Sequence, residues 1–115
     1  MRKVTTGLAA AGLATLGLLA AVPGSAAASA PAPFCESGAS TFICDAASTG
    51  ATTWTITERY IAGGSSTYSM TTAGSFLFQN CTSRSTLRVF YSYVADGVTV
   101  TSETGGVNCN PYEWP

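Results

Sequence analysis

An all-β fold is what this 115-residue sequence predicts: a small antiparallel β-sandwich or partly closed barrel with two disulfides, behind a cleaved N-terminal signal peptide. Three observations point to it. A basic start is followed by an apolar run without charge, the short remainder holds four cysteines, and the runs between turn residues alternate with period two.

Met1-Arg2-Lys3 supplies the positive start of an export signal, and Leu8 to Val22 is almost wholly Ala, Leu and Gly. Pro23-Gly24 ends that run, and the small residues from Ser25 to Ala30 offer several A-x-A cleavage frames. Cleavage is expected after Ala28, because cutting after Ala30 would put Pro31 directly behind the scissile bond. Glycine and threonine thin the apolar run, which falls short of the roughly 20 good apolar residues of a membrane span. Cys35 lies well past the small-residue stretch and does not read as a lipid-attachment site, and Asn110 to Pro115 has neither an apolar tail nor a basic stop. The expected product is secreted and extracellular, with no membrane association after processing.

About 87 residues then remain, near the lower limit at which one core holds a fold without covalent help. Four cysteines in an oxidising compartment supply that help as two disulfides. The chain has no histidine and no C-x-x-C pair, so no metal or other cofactor is expected. Beyond residue 28 the basic side chains are Arg59, Arg84 and Arg88, set against Glu36, Asp45, Glu58, Asp96, Glu103 and Glu113. Nucleic acid, which needs a dense cationic footprint, is therefore not an expected partner, and neither is an anionic membrane.

Residues 29–34 (Ser-Ala-Pro-Ala-Pro-Phe) read as an extended, partly disordered Pro/Ala leader, and 35–115 as the β-domain. Thr41 to Cys44 is a β-rich run behind the turn-like Ser37-Gly38-Ala39. Thr52 to Ile61 alternates, with Trp54 and Ile56 on one face and Thr53, Thr55, Thr57 and Arg59 on the other. After Gly63 to Ser66, Thr67 to Thr72 forms a short strand and Ser75 to Phe78 another apolar piece. The strongest local signal is Thr86 to Val94 followed by Val98 to Glu103, because Asp96-Gly97 between them supplies the positive φ values of a tight primed turn. Leu87, Val89, Tyr91 and Tyr93 form one face of that hairpin, continued by Val98, Val100 and Ser102.

Four cysteines allow three pairings. Aligning Ala95 with Val98 and continuing outward brings Cys81 to within a few residues of Cys109, a slip that bulges near Gly105-Gly106 and the loop around Ser83 can absorb. Cys35 and Cys44 flank a glycine-containing turn and can face each other across a small hairpin. The favoured pairing is Cys35–Cys44 with Cys81–Cys109. The alternative, Cys44–Cys81 with Cys35–Cys109, closes longer loops and restricts the unfolded chain more.

From Cys44 the order is a strand cysteine, Trp54 about ten residues later, Cys81, a tyrosine-rich strand and a closing strand. This resembles immunoglobulin-like and polycystic-kidney-type (PKD) sandwich domains, in small exported versions of actinobacterial type, over residues 35 to 109. Cys81 precedes the tyrosine-rich strand instead of sitting inside it, which departs from the usual bridge packed on the tryptophan. A fainter similarity is to the small α-amylase inhibitors exported by streptomycetes, which are all-β with two sequential disulfides. Their contiguous Trp-Arg-Tyr triplet is absent, and Trp54, Arg59 and Tyr60 are differently spaced. Neither resemblance carries a functional residue over.

Without histidine, Ser-His-Asp and Cys-His chemistry is impossible, and no lysine remains after processing for Schiff-base chemistry. Carboxylate pairs such as Asp45 with Glu58 survive on paper but read as solvated surface groups, so no catalytic residue and no enzyme activity is expected. Tyr60, Tyr68, Phe90, Tyr112 and Trp114 are aromatics that alternation does not assign to a core. Exposed rings stack on sugars or anchor protein partners. The candidate binding surface is Arg88, Phe90, Tyr112 and Trp114, for an extracellular protein or polysaccharide. The bland uses are a covered second face for Phe90 and an edge seal for the tail. The leading function is thus a secreted non-enzymatic binding module. The alternatives are an inhibitor of a secreted hydrolase, using a disulfide-held loop such as Gly63 to Ser66, and an envelope or matrix protein without a discrete site.

Overall fold

The computed structural model describes residues 29–115, and the signal peptide expected over 1–28 lies outside the described residues. Nine strands follow: β1 (Ser29–Ala30), β2 (Phe34–Gly38), β3 (Thr41–Asp45), β4 (Thr52–Arg59), β5 (Ser65–Thr72), β6 (Phe76–Asn80), β7 (Thr86–Ala95), β8 (Val98–Ser102) and β9 (Gly105–Asn108). They form two sheets. The larger runs β1-β8-β7-β4-β5, with β9 also on β7, and the smaller runs β2-β3-β6. This is a sandwich of two open sheets, not a closed barrel.

Alternation builds the interior. Thr52, Trp54, Ile56 and Glu58 of β4 are buried, and the same face of β7 contributes Leu87, Val89 and Tyr91. Phe42 and Cys44 of β3 and Leu77 of β6 close the core from the small sheet. Trp54 pairs with Tyr91 across β4 and β7, their ring centroids 5.5 Å apart and tilted by 52°, a favourable edge-inclined geometry. Both polar tips find partners. The Trp54 Nε1–H donates to Thr72 Oγ1, while the Tyr91 hydroxyl donates to the Pro31 carbonyl and accepts from the Ala47 N–H.

The Asp96-Gly97 turn aligns Ala95 with Val98, and its φ values of 52° and 75° are both left-handed, as a primed turn requires. Between the pairs Ser92–Thr101 and Val89–Gly105, the chain takes three steps on β7 but four on the opposite side. The extra residue is a bulge at Glu103-Thr104, immediately before the glycines where a slip was expected. Beyond β9, Cys109 pairs with Ser85 through Cys109 N to Ser85 O and Arg84 N to Cys109 O. A turn from Thr82 to Ser85, with Arg84 at φ 67°, brings Cys81 back beside it.

Both favoured disulfides are therefore present, Cys35–Cys44 as a register pair across the β2–β3 hairpin and Cys81–Cys109 at a Cα separation of 6.0 Å. The second joins the end of the small sheet to the end of the large one, so the sheet-to-sheet bridge exists with a different partner from the Cys44–Cys81 alternative.

Two expectations are corrected here. The leader is extended, but Ser29–Ala30 pairs in parallel with Thr101–Ser102 and Ala30 is buried, because β8 would otherwise leave a free backbone edge. Glu58 is buried, not solvated. It holds the inward parity of β4, and its carboxylate accepts from the Thr82 N–H and the Ser85 hydroxyl, fixing the turn that carries Arg84.

Candidate ligand-binding faces

The four residues of the expected binding surface lie in three places. Arg88 and Phe90 point outward from β7 on the large sheet, Tyr112 lies beside Arg84 at one end of the sandwich, and Trp114 packs on the small sheet. They do not make one patch, because the tail crosses from the end of the large sheet to the far side of the small one.

Backbone bonds guide that crossing. The β2–β3 turn holds Ala39 and Ser40 at φ 52° and 56°, a conformation that non-glycine residues adopt at a cost of about 1–2 kcal/mol each. Ala39 N–H donates to the Tyr112 carbonyl and Ser40 N–H to the Asn110 carbonyl, which offsets part of that cost. Asn110 N–H also donates to Ser37 Oγ. Trp114 then lies over Gly38, where any Cβ would stand 2.6 Å from the indole. The edge-sealing use of the tail is thus real, while Tyr112 keeps its ring exposed with its hydroxyl accepting from Arg84.

The small sheet carries an exposed aromatic cluster in which Trp114 is the one ring the sequence reading had singled out. Its outer face reads Phe34, Asp45, Phe76 in one cross-strand row and Glu36, Ile43, Phe78 in the next, with Trp114 over Gly38 beyond them. Phe34 is 67% exposed, Phe78 58%, Phe76 49% and Trp114 38%. Strand spacing puts the bases of Phe34 and Phe76 about 9–10 Å apart, with Phe78 about 7 Å along β6 from Phe76. The carboxylates Glu36 and Asp45 stand between the rings, and no basic side chain lies in these rows. Sequence reading missed the three phenylalanines. The signal was the parity of Phe76-Leu77-Phe78, in which one inward position leaves two rings outside.

The outer face of the large sheet is different in kind. Thr53, Thr55 and Thr57 of β4 pair with Thr71, Ser69 and Thr67 of β5, and their side-chain oxygens approach to 3.2, 3.3 and 3.0 Å. Phe90 stands opposite Thr55 and is half-buried among these hydroxyls, with no second layer over it among the described residues. On the inner side, burial raises the Tyr68 phenol above its ordinary pKa, reinforced by Glu58 and then Tyr60.

Other candidate features separate. Asp45 is exposed on the small sheet while Glu58 is buried behind the large one, so this carboxylate pair is not brought together. Gly63 and Gly64, both left-handed, turn the β4–β5 hairpin through Tyr60 N to Gly64 O and Gly63 N to Tyr60 O. The loop is held by backbone bonds, and neither disulfide spans it. That removes the covalent rigidity on which the inhibitor alternative rested.

No family model, no curated protein and no solved structure matches this chain.

Proposed function

We propose that this chain is an exported, non-enzymatic carbohydrate-binding module that takes a neutral polysaccharide across the outer face of its small sheet. The observation that carries the reading is the interleaving of exposed rings with carboxylates: Phe34, Phe76, Phe78 and Trp114 around Glu36, Asp45 and Ile43. Apolar sugar faces stack on rings, and sugar hydroxyls donate to carboxylate oxygens, so one extended sugar chain satisfies both kinds of group. A second copy of the same face would give the rings partners but not the carboxylates, because closing it on itself would press like charges together without a cation to pair them. The two disulfides suit an oxidising, extracellular setting, in agreement with the export signal.

The test is a depletion assay of the oxidised protein on insoluble cellulose, chitin and xylan. Retention on at least one of these is expected, weakened about tenfold or more in Phe76→Ala/Phe78→Ala, since each stacked ring contributes about 0.5–1.5 kcal/mol beyond its buried area. Absence of retention on all three, or equal retention of the double variant, would overturn the reading.

A further inference from the structure

Three arginines are the whole basic complement beyond residue 28, against six carboxylates, and they gather at one end of the large sheet. Arg59 on β4 lies two register positions from Arg88 on β7, on the same face: Arg59 is opposite Thr86, and Thr57 is opposite Arg88, with the inward pair Glu58–Leu87 between. The two arginines are therefore diagonal neighbours, about 7–8 Å apart at their bases. With Thr57 and Thr86 they line a cleft of about 510 Å³ to which no carboxylate contributes. On the far side of Arg88, β9 places Gly106 as its register partner, and a Cβ there would stand in ordinary contact with the arginine stem, 3.7 Å from Arg88 Cδ. Thr86 also lines the neighbouring cleft with Arg84, Asn108 and Tyr112, so the third arginine extends the same ground.

We propose that this face is a second binding site, for an acidic polysaccharide, with one oxyanion, a uronate carboxylate or a sulfate ester, seated between Arg59 and Arg88. Guanidinium forks bind planar carboxylates and sulfate-type oxygens through paired N–H donors, and the Thr57 hydroxyl, which can accept from Thr67, is able to turn its own proton to the same point. From the cleft the sheet continues as rows of hydroxyls, Thr57–Thr67, Thr55–Ser69 and Thr53–Thr71, with Phe90 beside them. That is a surface for the sugar rings on either side of the bound anion. A phosphate-dense polymer would need a longer cationic track than two or three arginines provide. The site shares no residue with the aromatic face and does not depend on it.

The overall charge of the domain makes the test sharp, because a net-acidic protein is repelled by polyanions except through a local patch. The oxidised protein is passed at low ionic strength over immobilised polygalacturonate, immobilised dextran sulfate and neutral dextran. Retention on at least one acidic matrix and none on neutral dextran is expected, with release by salt; the matrix that retains it tells carboxylate from sulfate. Arg59→Gln/Arg88→Gln is expected to lose about tenfold in affinity per arginine. Arg59→Lys/Arg88→Lys retains part of the binding, and Phe78→Ala retains all of it. An unretained wild-type protein, a Gln double variant that binds like wild type with its near-ultraviolet circular dichroism intact, or equal binding to single-stranded DNA would overturn the proposal.

Discussion

Removing the two disulfides separately, as Cys81→Ala/Cys109→Ala and Cys35→Ala/Cys44→Ala, is expected to destabilise the domain unequally. The first closes a segment with a sequence separation of 28, the second one of 9. The loop-entropy relation then gives about 3.6 kcal/mol for the longer loop and about 2.7 kcal/mol for the shorter at 25 °C. Each pair includes one buried sulfur, Cys109 or Cys44, so the packing loss on truncation is similar and does not reverse the order. The folded state widens the gap. Cys35–Cys44 repeats a contact that five register pairs of the β2–β3 hairpin already hold, whereas Cys81–Cys109 joins the sheets where the Thr82–Ser85 turn meets the tail. Against a total of about 5–15 kcal/mol for a domain, the Cys81/Cys109 variant is left marginal. The assay is equilibrium urea unfolding followed by tryptophan fluorescence, since Trp54 is fully buried. A Cys35/Cys44 variant less stable than the Cys81/Cys109 variant would refute the reasoning.

Glu58→Ala removes the acceptor of the Thr82 N–H and Ser85 hydroxyl bonds and should lower stability by about 2–4 kcal/mol, with Glu58→Gln intermediate, in the same urea experiment. Gly38→Ala drives a Cβ into the Trp114 indole, whose atoms stand 2.6 and 2.7 Å away, and should displace the tail at little cost to the core. The readout is a red-shifted Trp114 emission in a Trp54→Phe background, which wild-type-like emission would contradict.

Much of the fold was legible because period-two alternation and one turn determine so much of it. Trp54, Ile56, Leu87, Val89 and Tyr91 lie inside as their parity requires; the Asp96-Gly97 register leads to Cys81–Cys109 once a bulge is allowed, and the turn after Ser37 leads to Cys35–Cys44. Glu58 shares the parity of Trp54 and Ile56, yet its charge argued for solvent; only the fold brings Thr82 and Ser85 within its reach. The candidate site was less legible. Alternation separates two faces of a strand but does not say which face of a three-stranded sheet looks outward, so Phe76 and Phe78 read as part of an apolar run. Tyr112 and Trp114 were grouped with Phe90 as unassigned aromatics, but the tail's position depends on bonds to Ala39 and Ser40, 73 and 70 residues before their partners Tyr112 and Asn110.

The short strand at Ser29–Ala30 has a consequence for processing. It occupies the open side of β8 at Thr101 and Ser102, and the Ala30 carbonyl accepts from the Glu103 N–H. If the chain is processed as its sequence leads one to expect, cleavage after Ala28 leaves this cover in place, while cleavage two residues later strips it off and bares backbone donors and acceptors that can template a neighbouring chain. The choice between these alanine frames would thus decide whether β8 joins the outer strands of the two sheets as one more open backbone edge.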